Sequence, residues 1–271
     1  MIGSSYLASF ALRKAPFSKE IEDEDLWLPE SKASLVGDVE EALSERQSVL
    51  LLGEPGVGKT CVLRALRKRL PEAGFRLTYC RNASLGRRDF YRLLCHTLGL
   101  QPTSTAANLF LAVEGYVADL RRDKVHPVFL LDEAHLLHAD MLGHLHILIN
   151  YEWDAKALLS LVLVGLPELE VNLSRRAHRS LLTRIHHRFL IPPASVDDTA
   201  EYVRYRMTSA GADRAVFPDD ALGALHEASQ GSLREIDRLA TAALREAARR
   251  KKKLVDKDVV GRVAEALVRF D

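Results

Sequence analysis

At 271 residues, 47% of them hydrophobic and 28% charged, the chain is long enough for one large core plus a smaller domain, which argues against disorder. A formal net charge of +1, from 38 basic and 37 acidic residues, excludes a nucleic-acid argument from global charge, so any such argument rests on local clusters. Cys61, Cys80 and Cys95 lack paired or metal-ligand spacing, no run reaches the roughly 18 apolar residues of a membrane span, and the start MIGSSYLASFALRK lacks the order of a signal peptide; the expectation is a cytoplasmic chain with reduced thiols, no zinc and no membrane contact.

Residues 1–45 read as a lead-in packing on the core: YLASFALRKAPF, the acidic IEDEDLWLPES, then a helix over Lys32–Glu45 with Leu35, Val36, Val39 and Leu43 on one face. Phe17 and Trp27 would pack near a nucleotide base or against the core alone. Ser48–Leu52 is a buried strand running into LLLGEPGVGKT, and Val62–Leu70 is the helix after it. Gly53, Gly58, Lys59 and Thr60 satisfy G-x-x-x-x-G-K-[ST], and strand before plus helix after argue against an ordinary glycine-rich turn. The segment Gly53, Glu54, Pro55, Gly56, Val57, Gly58, Lys59, Thr60, Cys61 is thus the expected phosphate cradle. Gly56 and Gly58 let backbone N–H groups face a β-phosphate, Lys59 reaches the β- and γ-phosphates, and Thr60 ligates Mg²⁺.

Phe75–Arg81 is a second strand, Asp89–Leu98 and Ala106–Arg122 are helices, and Val128–Leu131 is an apolar strand ending in Asp132-Glu133. Asp132 is the expected metal residue and Glu133 the base that orients and deprotonates the attacking water. The bland alternative is a pair of acids favoured at a helix N-terminus. The letters DEAH invite a helicase reading, but such enzymes need two motor domains, more than this length holds, and His135 reads as a helix-face residue. A helix over Met141–Tyr151 precedes the strand Leu159–Val164. A polar residue at that strand's end often senses a γ-phosphate, which Leu166 cannot do.

From Val171 to Ile191 the chain carries Arg175, Arg176, Arg179, Arg184 and Arg188 with three histidines and no carboxylate. Arg184, before the last core strand, is best placed to project into a neighbouring subunit's nucleotide as an arginine finger; the others read as a solvated face. Beyond Pro192-Pro193 only helices follow, over Asp197–Ala210, Asp219–Ser229, Ser232–Arg250 and Asp256–Val268, with Ser195, Asp219 and Asp256 at N-cap positions. Gly231-Ser232-Leu233-Arg234 opens one of them, so that Arg234 would reach the γ-phosphate. Arg249–Lys253 is a basic block, read as a solvated connector rather than a DNA contact. The expected division is therefore a lead-in over 1–45, an α/β nucleotide-binding core over 46–193 and a helical lid over 194–271.

With phosphate loop, DE strand, late arginine and G-x-x-R helix start in this order, residues 30–271 resemble the AAA+ ATPases, which implies an α/β P-loop NTPase fold: a parallel sheet flanked by helices, then a small all-helical lid. More narrowly, YLASFALRKAPF, LLLGEPGVGKT, VFLLDEAHLL, NYEWDAKALLSLVLVGLPEL and GSLREIDRLATAAL resemble the ExeA-like group, which includes secretion ATPases of the ExeA/GspA type and transposition ATPases of the TniB and TnsC type. The resemblance implies ATP and Mg²⁺ as cofactors, with Lys59 and Thr60 on phosphate and metal, Asp132 and Glu133 in hydrolysis, Arg184 as finger and Arg234 as lid sensor. Leu166 departs from the group's usual polar residue and implies slow, assembly-dependent hydrolysis.

Secretion members of the group resemble proteins that continue into a membrane helix, whereas this sequence stops after the lid. The expectation drawn from that is a transposition regulator that assembles with ATP as a homo-oligomeric ring or filament on double-stranded DNA and recruits a transposase or targeting protein. Arg81, Arg87 and Arg88 are its DNA-contact candidates. The alternative is a secretion or envelope-assembly ATPase acting on protein partners, and a third reading is a nucleotide-dependent scaffold with negligible turnover.

Overall fold

The computed structural model describes residues 5–80, 85–103, 105–150 and 157–268. The chain forms two compact units: one from Glu30–Glu54 and Val62–Ile191, the other from the segment up to Pro29, Pro55–Cys61 and the chain from Pro192 onward. The lead-in is thus divided, its first part grouping with the C-terminal helices and its helix, Glu30–Ser44, with the sheet.

The first unit is built on a five-stranded parallel sheet: β1 (Ser48–Leu52), β2 (Phe75–Cys80), β3 (His126–Leu131), β4 (Ser160–Gly165) and β5 (Ile185–Leu190), in the order β2-β3-β4-β1-β5. The three central strands are buried throughout, because a parallel sheet covered by helices on both faces leaves no wet side, and this is why SVLLL, HPVFLL and SLVLVG are near-continuous apolar runs. The edge strands β2 and β5 alternate instead, with FRLTYC and IHHRFL half exposed. Residues Leu50, Phe129, Leu131, Leu161 and Leu163 join the helices Arg87–Thr97, Ala106–Arg122 and Ala139–Leu148 in one core. At the carboxyl edge the ladder runs one residue past the strands: Gly53 N–H donates to Gly165 O (3.1 Å), Asp132 N–H to Cys80 O (3.1 Å) and Ile191 N–H to Leu52 O (2.7 Å). These bonds fix the directions in which Gly53, Asp132 and Leu166 leave the sheet, and open parallel sheets bind ligands outside this edge.

The second unit packs the helices Val196–Ser209, Asp219–Ser229, Leu233–Arg249 and Lys257–Val268 around Val203, Leu222, Leu225, Ile236, Ala240 and Val259. Ser195 forms a capping box with Asp198, and Asp256 Oδ1 accepts from Val259 N–H at 3.0 Å, as N-cap positions require. Asp219 does not cap: Pro218 holds the N-cap place, and Asp219 lies in the first turn, where its charge still favours the helix dipole. Phe17 and Trp27 are buried in this helical core, Trp27 against Tyr202 with centroids 5.1 Å apart and Phe17 edge-on to Phe217. Buried Arg206 ties the lead-in down by donating to Pro16 O and Ser18 O, each at 2.7 Å, and to the Tyr202 hydroxyl, also at 2.7 Å. No helix among the described residues is long and apolar enough to cross a membrane.

Candidate nucleotide site

At the carboxyl edge of the sheet, β3 delivers Asp132 with both carboxylate oxygens engaged. Oδ1 accepts from Glu133 N–H (2.9 Å) and Oδ2 from the Tyr79 hydroxyl (2.7 Å). Tyr79 reaches it because Tyr79 and Leu130 are partners in the β2–β3 register, which brings the ring alongside the end of β3. This tyrosine carries no periodic signal in the sequence and was not anticipated as a site residue; its place at a strand end beside an acid-terminated strand is the only clue. Burial in the same corner pushes the Cys80 thiol up to about 12, so it is inert.

Glu133 follows in a left-handed conformation (φ 53°, ψ 36°), from which a 3-10 turn, Ala134–Leu136, begins. A non-glycine residue there is uncommon and strained, and such strain collects at functional sites. The turn buries His135, whose side chain is 8% exposed, while Glu133 stays half exposed. His135 is therefore not on a helix face as its spacing implied. Its Nε2 lies 3.6 Å from Glu133 Oε2, and its Nδ1 accepts from Leu166 N–H at 3.5 Å.

In the helical unit, the loop Pro55–Cys61 lies against the start of the Leu233–Arg249 helix. Arg234 N–H points at Gly56 O (3.4 Å), and the Ser232 hydroxyl at Pro55 O (3.5 Å). Gly56 (φ 83°) and Gly58 (φ 100°) take left-handed conformations that turn successive peptide N–H groups, the geometry of an anion nest. A Cβ on Gly56 would overlap Ser232 Oγ and lie 2.9 Å from Arg234 Cβ. Ser232, which lacks a cap bond of its own, was not anticipated here. Val57 is buried and anchors the loop, Lys59 opens the helix Lys59–Arg69, and Thr60 is exposed beside it.

The residues present fit a magnesium nucleotide. In the helical unit, a glycine nest at a helix start suits phosphate oxygens; in the sheet unit, the Asp132 carboxylate is the kind of oxygen donor Mg²⁺ takes alongside water and phosphate. No cluster of three or more histidine, cysteine or carboxylate side chains that would hold a metal by themselves occurs among the described residues.

The other candidates are dispersed. Arg184 stands immediately before β5 and donates through Nη1 to Ser180 O at 2.9 Å. Arg87 is held by Asp140, Nε to Oδ2 at 3.0 Å with a second bond from Nη2, which lowers the Asp140 pKa by direct hydrogen bonding. Arg88 is exposed, and Arg81 lies outside the described residues.

Residues 40–173 match the sequence profile of an AAA domain. The fold is a P-loop AAA+ fold. General secretion pathway protein A of Aeromonas hydrophila is 35% identical over 260 residues, covering 94% of this chain and 47% of that protein, so the chain spans about half the length of this curated relative. Among solved structures, the AAA+ fold here is similar to the Aeropyrum pernix ORC1 protein in complex with DNA (TM-score 0.66, 19% identity, 94% of this chain and 69% of that chain). It is also similar to the Aeropyrum pernix ORC2 protein with ADPNP and ADP (TM-score 0.67, 16% identity, 93% and 71%). The Thermotoga maritima RuvB branch migration motor gives a TM-score of 0.58 at 18% identity, over 94% and 74% of the two chains. At these identities the structures speak for the fold alone.

The secretion relative overturns the expected transposition regulator. That expectation was drawn from where the sequence ends, which says nothing about the shared segment. The resemblance to the secretion protein runs along almost the whole of this chain. The transposase partner falls with it.

Proposed function

We propose that this AAA+ chain is a magnesium-dependent ATPase of the ExeA/GspA type, working on protein partners in secretion or envelope assembly. The observation that carries the reading is the 35% identity to General secretion pathway protein A over 94% of the chain. In this reading the backbone from Gly53 to Cys61 holds the phosphates, Lys59 neutralises their charge, and Thr60 with Asp132 holds Mg²⁺. The metal supplies charge stabilisation at the phosphate oxygens. Glu133 orients and deprotonates the attacking water, and Arg234, whose N–H faces the loop at Gly56, meets the γ-phosphate. Arg184, at the head of an edge strand, serves a neighbouring copy, so that hydrolysis is slow until protomers assemble.

The test is phosphate release by purified protein with Mg²⁺ and ATP, beside Lys59→Ala and Glu133→Gln. Lys59→Ala should lose nucleotide binding, whereas Glu133→Gln should bind ATP and lose turnover by roughly 100-fold or more. Random duplex DNA should leave the rate unchanged. Stimulation by duplex would remove the protein-partner reading, and a rate equal in all three proteins would remove the ATPase.

A further inference from the structure

The left-handed backbone at Glu133 starts the 3-10 turn that carries His135 inward, while its neighbour Leu136 is 53% exposed. An imidazole is costly to bury unless both nitrogens are engaged. One side of the ring meets the end of β4, where Nδ1 accepts the Leu166 N–H at 3.5 Å. The other side meets Glu133, with Nε2 3.6 Å from Oε2. With Nδ1 accepting a backbone hydrogen bond, Nε2 is the ring nitrogen that carries a hydrogen, and it faces the carboxylate. Room for the ring is made by Gly165: a Cβ there would lie 3.2 Å from His135 N and 3.3 Å from His135 Nδ1.

We infer that His135 is a positioning residue that aims Glu133 by coupling it to the backbone at the end of β4. The inference rests on the ATPase reading above and adds a component to it. Position 166 is leucine, which has no polar group to offer a phosphate, but its peptide N–H is a donor whatever the side chain. A displacement of Gly165-Leu166 moves the ring, and the ring moves Oε2, leaving Oε1 to hold water. Misplacing a general base by about 1 Å is enough to lower turnover by about 100-fold, so a link of this kind acts on the rate of the chemical step and leaves nucleotide affinity alone.

The experiment compares wild type, Lys59→Ala, His135→Leu and His135→Gln in steady-state ATP hydrolysis, with thermal melting and binding of a fluorescent ADP analogue measured on each. Leucine fills the volume without a proton donor, whereas glutamine places an amide N–H near the position of Nε2. The expected result is kcat lowered at least tenfold in His135→Leu with KM and analogue affinity within twofold of wild type, and kcat restored to within about threefold in His135→Gln. Turnover in His135→Leu within twofold of wild type overturns the proposal, as does a loss that is matched by KM or that glutamine does not relieve. If His135→Leu melts early, the glutamine variant decides alone: a kcat more than threefold below wild type, with melting temperature and analogue affinity unchanged, overturns the proposal. A wild-type rate no higher than that of Lys59→Ala removes the ATPase reading itself, and this proposal with it.

Discussion

Two side chains and one absent side chain at the loop end of the helical unit make different demands. Gly56 holds φ 83° and has Ser232 and Arg234 against it, so Gly56→Ala adds a left-handed penalty of about 1–2 kcal/mol to a steric overlap. The variant should melt earlier and bind nucleotide more weakly, which thermal scans with and without Mg-ATP would read. Cysteine chemistry separates the same loop from the sheet. Cys80 is buried, with its thiol raised to about 12, and Cys95 is buried and raised in the same direction by loss of solvent, while Cys61 is partly exposed. Native protein at pH 7.5 should therefore take one alkylating group, at Cys61, and Mg-ATP should slow it; mass spectrometry of native and unfolded samples would show one and three adducts. Rapid alkylation of Cys80 in the native protein would contradict the burial.

At the scale of elements, the pair Val196–Ser209 and Leu233–Arg249 encloses a polar group that responds to pH. Asp237 accepts from the Tyr202 hydroxyl at 2.7 Å, and burial raises its carboxyl to about 6, outweighing that bond and the nearby Arg206 charge. A carboxyl raised above its unfolded value binds its proton more tightly in the folded state. Its contribution is therefore fully present below about pH 4 and is lost as pH rises through 6. Up to about 3 kcal/mol is at stake, less for a group that retains some solvent. Asp237→Asn should flatten the pH dependence of urea midpoints between about pH 4 and 7, and an unchanged slope would place the effect elsewhere. The central strands of the sheet were legible in the sequence because burial on both faces writes an unbroken apolar run. The phosphate loop was legible because its glycines and Lys59-Thr60 have fixed spacing. The His135 placement was not, since the spacing after Glu133 suits a helix face and only the left-handed turn re-aims it. Nor was Tyr79, whose contact with Asp132 depends on strand register, or Ser232, whose partner lies 177 residues earlier.

For the whole molecule, the reading of Arg184 as a residue that serves a neighbour makes activity a property of the assembly. Specific ATPase activity should rise with protein concentration, and Arg184→Ala should lower the plateau without changing nucleotide affinity. Sedimentation alongside the rate measurement would check both, and a rate per protomer that is flat on dilution would sink the idea.

The backbone at Glu133 has a consequence for stability. Glutamate is a poor choice for φ 53°, whereas asparagine occupies that region readily. Glu133→Asn should therefore melt higher, by about 2 °C if roughly 1 kcal/mol of strain is relieved, while losing turnover. Under the ATPase reading, position 133 gives up stability for turnover, and this one variant should separate the two properties.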